Sequence, residues 1–352
     1  MNHMERDRDN PGDVIRRKRE HVQTVLSNPD TDRRRGYFDA VRLRHRALPE
    51  LDLDDVDLST TFLDRSLSMP FWICSMTGGR GEELQRVNRH LAEAAQETGI
   101  AMGVGSQRVL FHHPETRPSF ELRAYAPDVP LLANLGAVQL RHGFGLDECR
   151  KAVEVLGADA LVFHLNPLQE VIQAGETTFA GIADRMAEAA SELGKPVVAK
   201  EVGAGLSLED AELLVERGIT ILDVAGAGGT SWSRIEQLRR GGGSAELGFL
   251  LQDWGNPTPL ALREIARLGE RVTLLASGGI RHGLDAVKAM VLGASLCGMA
   301  RPFLAPAHES TAAVVQVIER LRREMSTVFF LLGARHPSDV IGQSRHLFPE
   351  RS

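Results

Sequence analysis

The feature that most constrains this chain is a rhythm. Eight short apolar runs recur about every thirty residues, each followed by glycine and then by a helical pattern. The runs are FWICSM (71–76), IAMGVG (100–105), PLLANLG (130–136), ALVFHL (160–165), PVVAKEVG (196–203), ITILDVAG (219–226), VTLLASGG (272–279) and SLCGMA (295–300). Between them lie amphipathic segments such as EELQRVNRHLAEAAQETG and LDECRKAVEVLG, whose apolar residues recur at three and four and which end on glycine. Parallel strands need crossover helices, and a closed ring removes both exposed edges. Eight such units therefore predict an α/β fold, a TIM (β/α)8 barrel, with a doubly wound open sheet as the alternative. One interruption, GFLLQDWGNPTPLALREIARLG, adds a strand-like run and a tight turn between the sixth strand and its helix, and reads as an insertion over the barrel mouth. The expected organisation is a leader over 1–65 with a basic segment packed on the barrel, a catalytic barrel over 66–305, and a C-terminal helix and tail over 306–352, all one domain.

Composition narrows the class. A chain of 352 residues with 43% hydrophobic content buries a large core, and a net charge of -6 gives no chain-wide footprint for nucleic acid or an anionic membrane. The three cysteines, Cys74, Cys149 and Cys297, are odd in number and lack metal-type spacing, which points to a reducing compartment. No apolar stretch approaches a membrane span and the first thirty residues lack a signal-peptide centre. A cytoplasmic protein that binds neither membrane nor nucleic acid is expected.

Three stretches carry chemistry. In FHLNPLQE, residues 163–170, strand alternation turns Leu161, Phe163 and Leu165 one way and Val162, His164 and Asn166 the other, so the polar set points into the barrel at the strand's carboxyl end. Two consecutive glycine-bearing strand ends, Ser277 to Arg281 and Gly298 to Pro302, form a phosphate cup, since glycines let backbone N–H groups approach an anion and the helices that follow aim their positive ends at it. Four further polar strand ends, Ser75 to Gly79, Ser106 to Arg108, Asn134 and Lys200, line the same mouth around a planar cofactor. In IRRKREHV, residues 15–22, cations precede His21 and read as a local anion clamp; Arg33, Arg34 and Arg35 read as surface.

The ordered motifs RKREHV, SMTGG, GVGSQR, ANLGA, HLNPLQE, AKEVG, DVAGAGGTSW, DWGNPT and SGGIR followed by MARPFL resemble those of the type 2, FMN-dependent isopentenyl-diphosphate isomerases over about residues 15–305. The resemblance implies a barrel of the FMN-dependent, phosphate-binding type. It implies flavin contacts from Ser75, Met76, Thr77, Ser106, Asn134, Lys200 and Thr230, with the phosphate on Gly278, Gly279, Arg281, Ala300 and Arg301. It places the substrate diphosphate on Arg17, Lys18, Arg108, His164 and Asn166, Gln169 beside the reacting carbons, and Glu170 on Mg²⁺; His164 and Gln169 are the catalytic candidates. The implied reaction turns isopentenyl diphosphate into dimethylallyl diphosphate by moving a proton, with reduced FMN as acid and base and NADPH or NADH only as its reductant. A homotetramer or homo-octamer is implied as well. Two departures, GGRGEE after the first strand and Asn256 where an apolar residue is more usual, alter loop shape only.

The rival enzyme is an FMN-dependent 2-hydroxy-acid oxidase or dehydrogenase, which requires an active-site histidine after the sixth strand, where this chain reads DVAGAGGTSW. A purine-nucleotide dehydrogenase requires a nucleophilic loop cysteine, yet Cys74 and Cys297 fall in strands and Cys149 in a helix. A non-catalytic flavin-binding barrel leaves the set Arg17, Lys18, His164 and Glu170 without a purpose.

Overall fold

The computed structural model describes residues 20–28, 31–32, 36–76, 79, 81–240 and 246–348. Arg17, Lys18 and Thr77, with Arg33, Arg34 and Arg35, lie outside the described residues. All eight expected strands form, as β1 (Phe71–Ile73), β2 (Ala101–Gly103), β3 (Leu131–Gly136), β4 (Ala160–Leu165), β5 (Val197–Glu201), β6 (Ile221–Asp223), β7 (Thr273–Ala276) and β8 (Leu296–Met299). They close into one barrel in chain order, every neighbouring pair parallel, with β8 pairing β1. The closed ring rules out the open-sheet alternative.

The inside of the barrel is layered. Trp72, Ala101, Leu132, Ala160, Val162, Val198, Leu275 and Leu296 form an apolar floor, while their strand neighbours Leu161, Phe163 and Ala199 pack outward under the helices. Trp72 is the plug, fully buried, and glycines on both adjacent strands make room for it. A Cβ on Gly298 would sit 2.3 Å from the indole Nε1, and one on Gly103 would sit 2.9 Å from the ring carbons. Below, a hairpin of Thr60–Phe62 and Arg65–Leu67 closes the barrel's lower end with Phe62 and Leu67. Its two-residue turn, Leu63 and Asp64, has positive φ at both positions, the mirror-image turn whose twist suits a hairpin.

Helices surround the strands. We label those used below α1 (Glu82–Thr98), α2 (Pro167–Gln173), α3 (Trp232–Arg240), α4 (Gly283–Val291), α5 (Arg301–Glu309) and α6 (Thr311–Leu332). The predicted C-terminal helix is α6; it packs on α1, α4 and α5, with Gly283 letting α4 approach its backbone closely. The insertion differs from expectation. GFLL is not an extra strand but part of a helical turn, Glu246–Leu250, that docks on α3 through Gly248, whose missing Cβ lets it approach Ser233 and Gln237. An isolated apolar run reads as a strand, but here it has no edge to pair with, because the barrel is closed. The Asn256 main chain bridges Ala204 and Ala227, tying the loops after β5 and β6 together, and its side-chain amide adds one bond to Gly205 O at 3.1 Å.

Candidate active site

Above the apolar floor the strand ends turn polar and open into a cavity of about 520 Å³. Every described residue that the resemblance assigns to the site lines it: Ser75, Met76, Ser106 and Arg108; Asn134; His164, Asn166, Gln169 and Glu170; Lys200; Thr230; and Gly278, Gly279, Arg281, Ala300 and Arg301. Of the polar strand ends expected at the mouth, Gly79 and Gln107 do not line it, Gln107 being buried against Ala152 O and Asn134 N.

At the β7 end the expected cradle is made of backbone, packed on the glycine loop after β6. Gly278 and Gly279 have φ of 85° and 75°, conformations that favour glycine. A Cβ on Gly278 would fall 2.2 Å from Gly226 O, and one on Gly229 would fall 2.8 Å from Gly279 N. The two loops thus cross with nothing between them but main chain, leaving a concave, amide-bearing surface suited to a phosphate. The nearby arginines are already engaged. Arg301 Nη1 lies 2.5 Å from Asp32 Oδ2, and Thr230 donates to Asp32 Oδ1 at 2.9 Å, so one leader carboxylate holds both. Arg281 donates to Asp285 at 2.8 Å through Nε and to Asp39 at 2.5 Å through Nη2, which directs its guanidinium to the loop and leader.

On the opposite side, α2 begins directly after β4, with Asn166 at its N-cap position and Pro167 at its first turn, where a missing N–H costs nothing. The α-helical spacing then gathers Asn166, Gln169 and Glu170. Asn166 Nδ2 donates to Glu170 Oε1 at 2.9 Å and to Gln169 Oε1 at 3.2 Å, and Glu176 N–H donates to Glu170 Oε2 at 2.7 Å. Each Glu170 oxygen keeps a further lone pair for a cation. Among the described residues no cluster of three His, Cys, Asp or Glu could hold a metal, so a cation at Glu170 would need further oxygens from a phosphate and water, the habit of Mg²⁺.

The hub of this side is a residue that the motifs do not point to. Glu236 on α3 has no exposed side-chain surface; its Oε1 accepts from Gln169 Nε2 at 2.9 Å and lies 2.8 Å from His21 Nε2, and its Oε2 accepts from Arg239 at 2.9 Å. Burial pushes its carboxyl up, but His21, Gln169 and Arg239 together hold it down to about 2. Trp232 ends the motif DVAGAGGTSW, which by itself gives the tryptophan no role. Its ring meets His21 edge-on at 5.2 Å, and with Val22, Val25, Met76 and Leu304 it forms an apolar cap over the cavity. Nothing in DVAGAGGTSWSRIE distinguishes Glu236 from a surface helix charge; only the folded leader shows its partners.

The β1, β3 and β4 ends are linked by a short relay. Asn134 donates to Ser75 Oγ at 2.9 Å, so its oxygen accepts from His164 Nδ1 at 2.8 Å, which assigns that nitrogen the proton and makes Nε2 the acceptor in the neutral ring. Gly136 leaves space for the imidazole; a Cβ there would be 3.0 Å from Nε2. After β5, Glu201 Oε2 accepts from the backbone N–H groups of Val202, Gly203, Ala204 and Gly205, which stiffens the loop beneath the cavity. The cysteines are inert: burial pushes the Cys74 and Cys297 thiols up, and that of Cys149 up to about 12.

A closed barrel whose polar mouth includes a glycine-built surface suited to a phosphate is the architecture of a phosphate-binding barrel enzyme, and comparison with known proteins specifies which. A model of the FMN-dependent dehydrogenase family matches residues 18–110 and 153–347. Isopentenyl-diphosphate delta-isomerase from Paracoccus zeaxanthinifaciens is 50% identical over 332 residues, covering 93% of this chain and 95% of the relative. That from Methanothrix thermoacetophila is 43% identical over 352 residues, covering 96% and 97%. The chain belongs to the FMN-dependent dehydrogenase family and, within it, to the isopentenyl-diphosphate delta-isomerases. Among solved structures a mandelate oxidase mutant with a monooxide FMN adduct matches with TM-score 0.62 and 20% identity, covering 94% of this chain and 92% of that one. A flavocytochrome b2 mutant with sulfite bound matches with TM-score 0.67 and 20% identity, covering 94% and 82%. At that identity they share the fold.

Proposed function

We propose that this isomerase interconverts isopentenyl and dimethylallyl diphosphate in the cavity between the glycine cradle and α2, with reduced FMN, Mg²⁺ and NADPH or NADH as the source of reducing equivalents. The observation that carries the proposal is the joining, in one cavity under an apolar cap, of an anion cradle and the group His164, Asn166, Gln169 and Glu170. The cradle fits the FMN phosphate: the space a Cβ would take at Gly278 and Gly279 is filled by neighbouring backbone, and Ala300 and Arg301 open α5 beside it. Ser75, Met76, Ser106, Asn134, Lys200 and Thr230, with Thr77, hold the ring and its chain. Bound reduced FMN supplies the acid and base for a proton relocation that gains and loses no electrons.

The protein's own groups do the rest. His164 and Asn166 with Arg108, and Arg17 and Lys18 of the leader, would bind the diphosphate, and Glu170 would hold a magnesium ion that neutralises its charge. That remote charge fixes the carbons. Protonating an alkene develops a tertiary cation that water would trap, and Met76, Val22, Val25, Leu304 and Trp232 keep the carbon end dry. Gln169, held by Asn166 and Glu236, sits where a proton leaving or reaching the substrate is steadied by an amide backed by a carboxylate. Homotetramer or homo-octamer assembly and a cytoplasmic location belong to the same proposal, on the strength of the resemblance. No helix among the described residues is long and apolar enough to cross a membrane. The oxidase reading has the fold of its neighbours, but the loop from Asp223 to Trp232 supplies no histidine base.

The test is anaerobic incubation with FMN, NADPH, Mg²⁺ and isopentenyl diphosphate in D₂O. Dimethylallyl diphosphate carrying deuterium, seen by NMR, is expected; bound FMN with neither product nor exchange overturns the proposal.

A further inference from the structure

One buried charge has no task in the mechanism above. Asp223, at the end of β6, has no exposed side-chain surface although it stands inside the barrel. Its Oδ2 accepts from Lys200 Nζ at 2.6 Å and its two oxygens lie 2.9 and 2.8 Å from Ser277 Oγ. Lys200 also donates to Ser277 Oγ at 2.8 Å, and its Nζ is 5.8 Å from the centroid of the Trp72 ring below. The register places Lys200 directly opposite Asp223 on the neighbouring strand. An ammonium has three donors. Asp223 and Ser277 take two, and Lys200 is among the residues that line the cavity. Burial works against the charged lysine, but Asp223, with smaller contributions from Cys74 and Glu201, outweighs it, so the proton is held more tightly than on an ordinary lysine.

We propose that Asp223, with Ser277, is a positioning residue for the flavin: it aims Lys200 at the ring as a hydrogen-bond donor while cancelling most of its charge. This rests on the flavin reading above and adds to it a counter-ion that sets the ring's electron affinity. A bare cation beside a flavin favours its electron-rich forms, whereas a neutralised pair offers orientation without that pull. An ion pair that merely filled the core would leave the electronic behaviour of the ring unchanged.

Sulfite reads this directly, because its lone pair adds to oxidised flavin and leaves a negative charge on the ring. The FMN-loaded protein is titrated with sulfite at about pH 6, following loss of the visible flavin band, and its midpoint potential is measured anaerobically. Asp223→Asn, which leaves Lys200 uncompensated, is expected to bind sulfite at least about tenfold tighter and to have a higher potential. Lys200→Met is expected to bind sulfite more weakly than wild type, and Asp223→Glu to return towards the wild-type value. If Asp223→Asn fails to fold, Ser277→Ala keeps the pair, frees one lysine donor and is expected to tighten sulfite by about threefold. The inference is overturned if FMN binds but sulfite affinity and potential match wild type, or if Asp223→Asn shifts them equally in a Lys200→Met background. Failure of the wild-type protein to bind FMN overturns the flavin reading itself, and this inference with it.

Discussion

The two sides of the barrel mouth handle charge by different means. On one side, Gly278 and Gly279 after β7 meet Gly226, Gly228 and Gly229 after β6 main chain to main chain, and what they offer an anion is backbone. At β4, recognition is by side chains drawn from three segments: His21 in the leader, Asn166, Gln169 and Glu170 on α2, and Glu236 on α3. A backbone cradle has little freedom and little to titrate. The side-chain cluster is a hydrogen-bonded network of polar groups, which suits it to the metal and proton handling proposed above. If this contrast is right, damage to the cradle abolishes cofactor binding outright, while damage to the cluster leaves the cofactor bound and slows the chemistry.

The largest effect belongs to Gly278→Val. The new Cβ would meet Gly226 O at 2.2 Å in a residue with φ of 85°, and neither main chain can yield without moving the loop. Left-handed φ alone costs about 1–2 kcal/mol for a residue with a Cβ. FMN affinity is expected to fall at least about 100-fold, the clash and the strain acting together on a buried loop. Quenching of FMN fluorescence measures this, with far-UV circular dichroism as the check on folding; retention of wild-type affinity removes the cradle from the flavin site.

Glu236→Gln comes next. The amide preserves shape and can still accept from Gln169, but His21 and Arg239 lose their counter-charge. Turnover is expected to fall on the order of 100-fold with FMN still bound. The same variant has a pH signature. The Glu236 carboxyl titrates near 2 in the folded protein against an ordinary value of 4.5, so its stabilisation is fully present above about pH 4.5 and is lost as pH falls towards 2. Its size above that window is on the order of 3 kcal/mol. The Tm difference between wild type and Glu236→Gln should therefore close on acidification, and a difference that stays constant would break the assignment. Glu170→Gln is milder: about a tenfold loss of turnover and a raised magnesium requirement are expected, because an amide is a poor ligand for a hard cation. An unchanged magnesium titration would show that the metal is held elsewhere.

The contrast also decides what is legible in the sequence. Strand spacing and glycine pairs are local patterns, so the barrel, the cradle and the inward turn of His164 and Asn166 are all readable from the order of residues alone. Glu236 is not, because its role comes from contacts with residues 67 and 215 positions away, Gln169 and His21, and a helix charge followed by arginines looks like any solvated face. The same limit explains GFLL. Its apolar composition suits a strand or a helical turn equally, and closure of the barrel, a property of the whole chain, decides in favour of the helix.

Arg281 makes the finest test, because it stands within the cradle yet behaves as part of the frame. The sequence resemblance gives it to the phosphate, but Nε and Nη2 form a fork to Asp285 and a second contact to Asp39, which joins the first turn of α4 to the leader across the loop that carries Gly278 and Gly279. Its guanidinium side chain is 41% exposed, so solvent screens the pairs and their worth is small, about 1 kcal/mol for a bidentate pair in this setting. Arg281→Lys removes the fork and keeps the charge. The expected outcome is a fall in Tm equivalent to about 1 kcal/mol with FMN affinity changed less than about threefold, since a long-range cation remains and no phosphate ligand is lost. A loss of FMN affinity well beyond that, with Tm unchanged, would mean that the guanidinium leaves Asp39 for the phosphate when the cofactor binds, and would put a side chain into a cradle otherwise built from backbone.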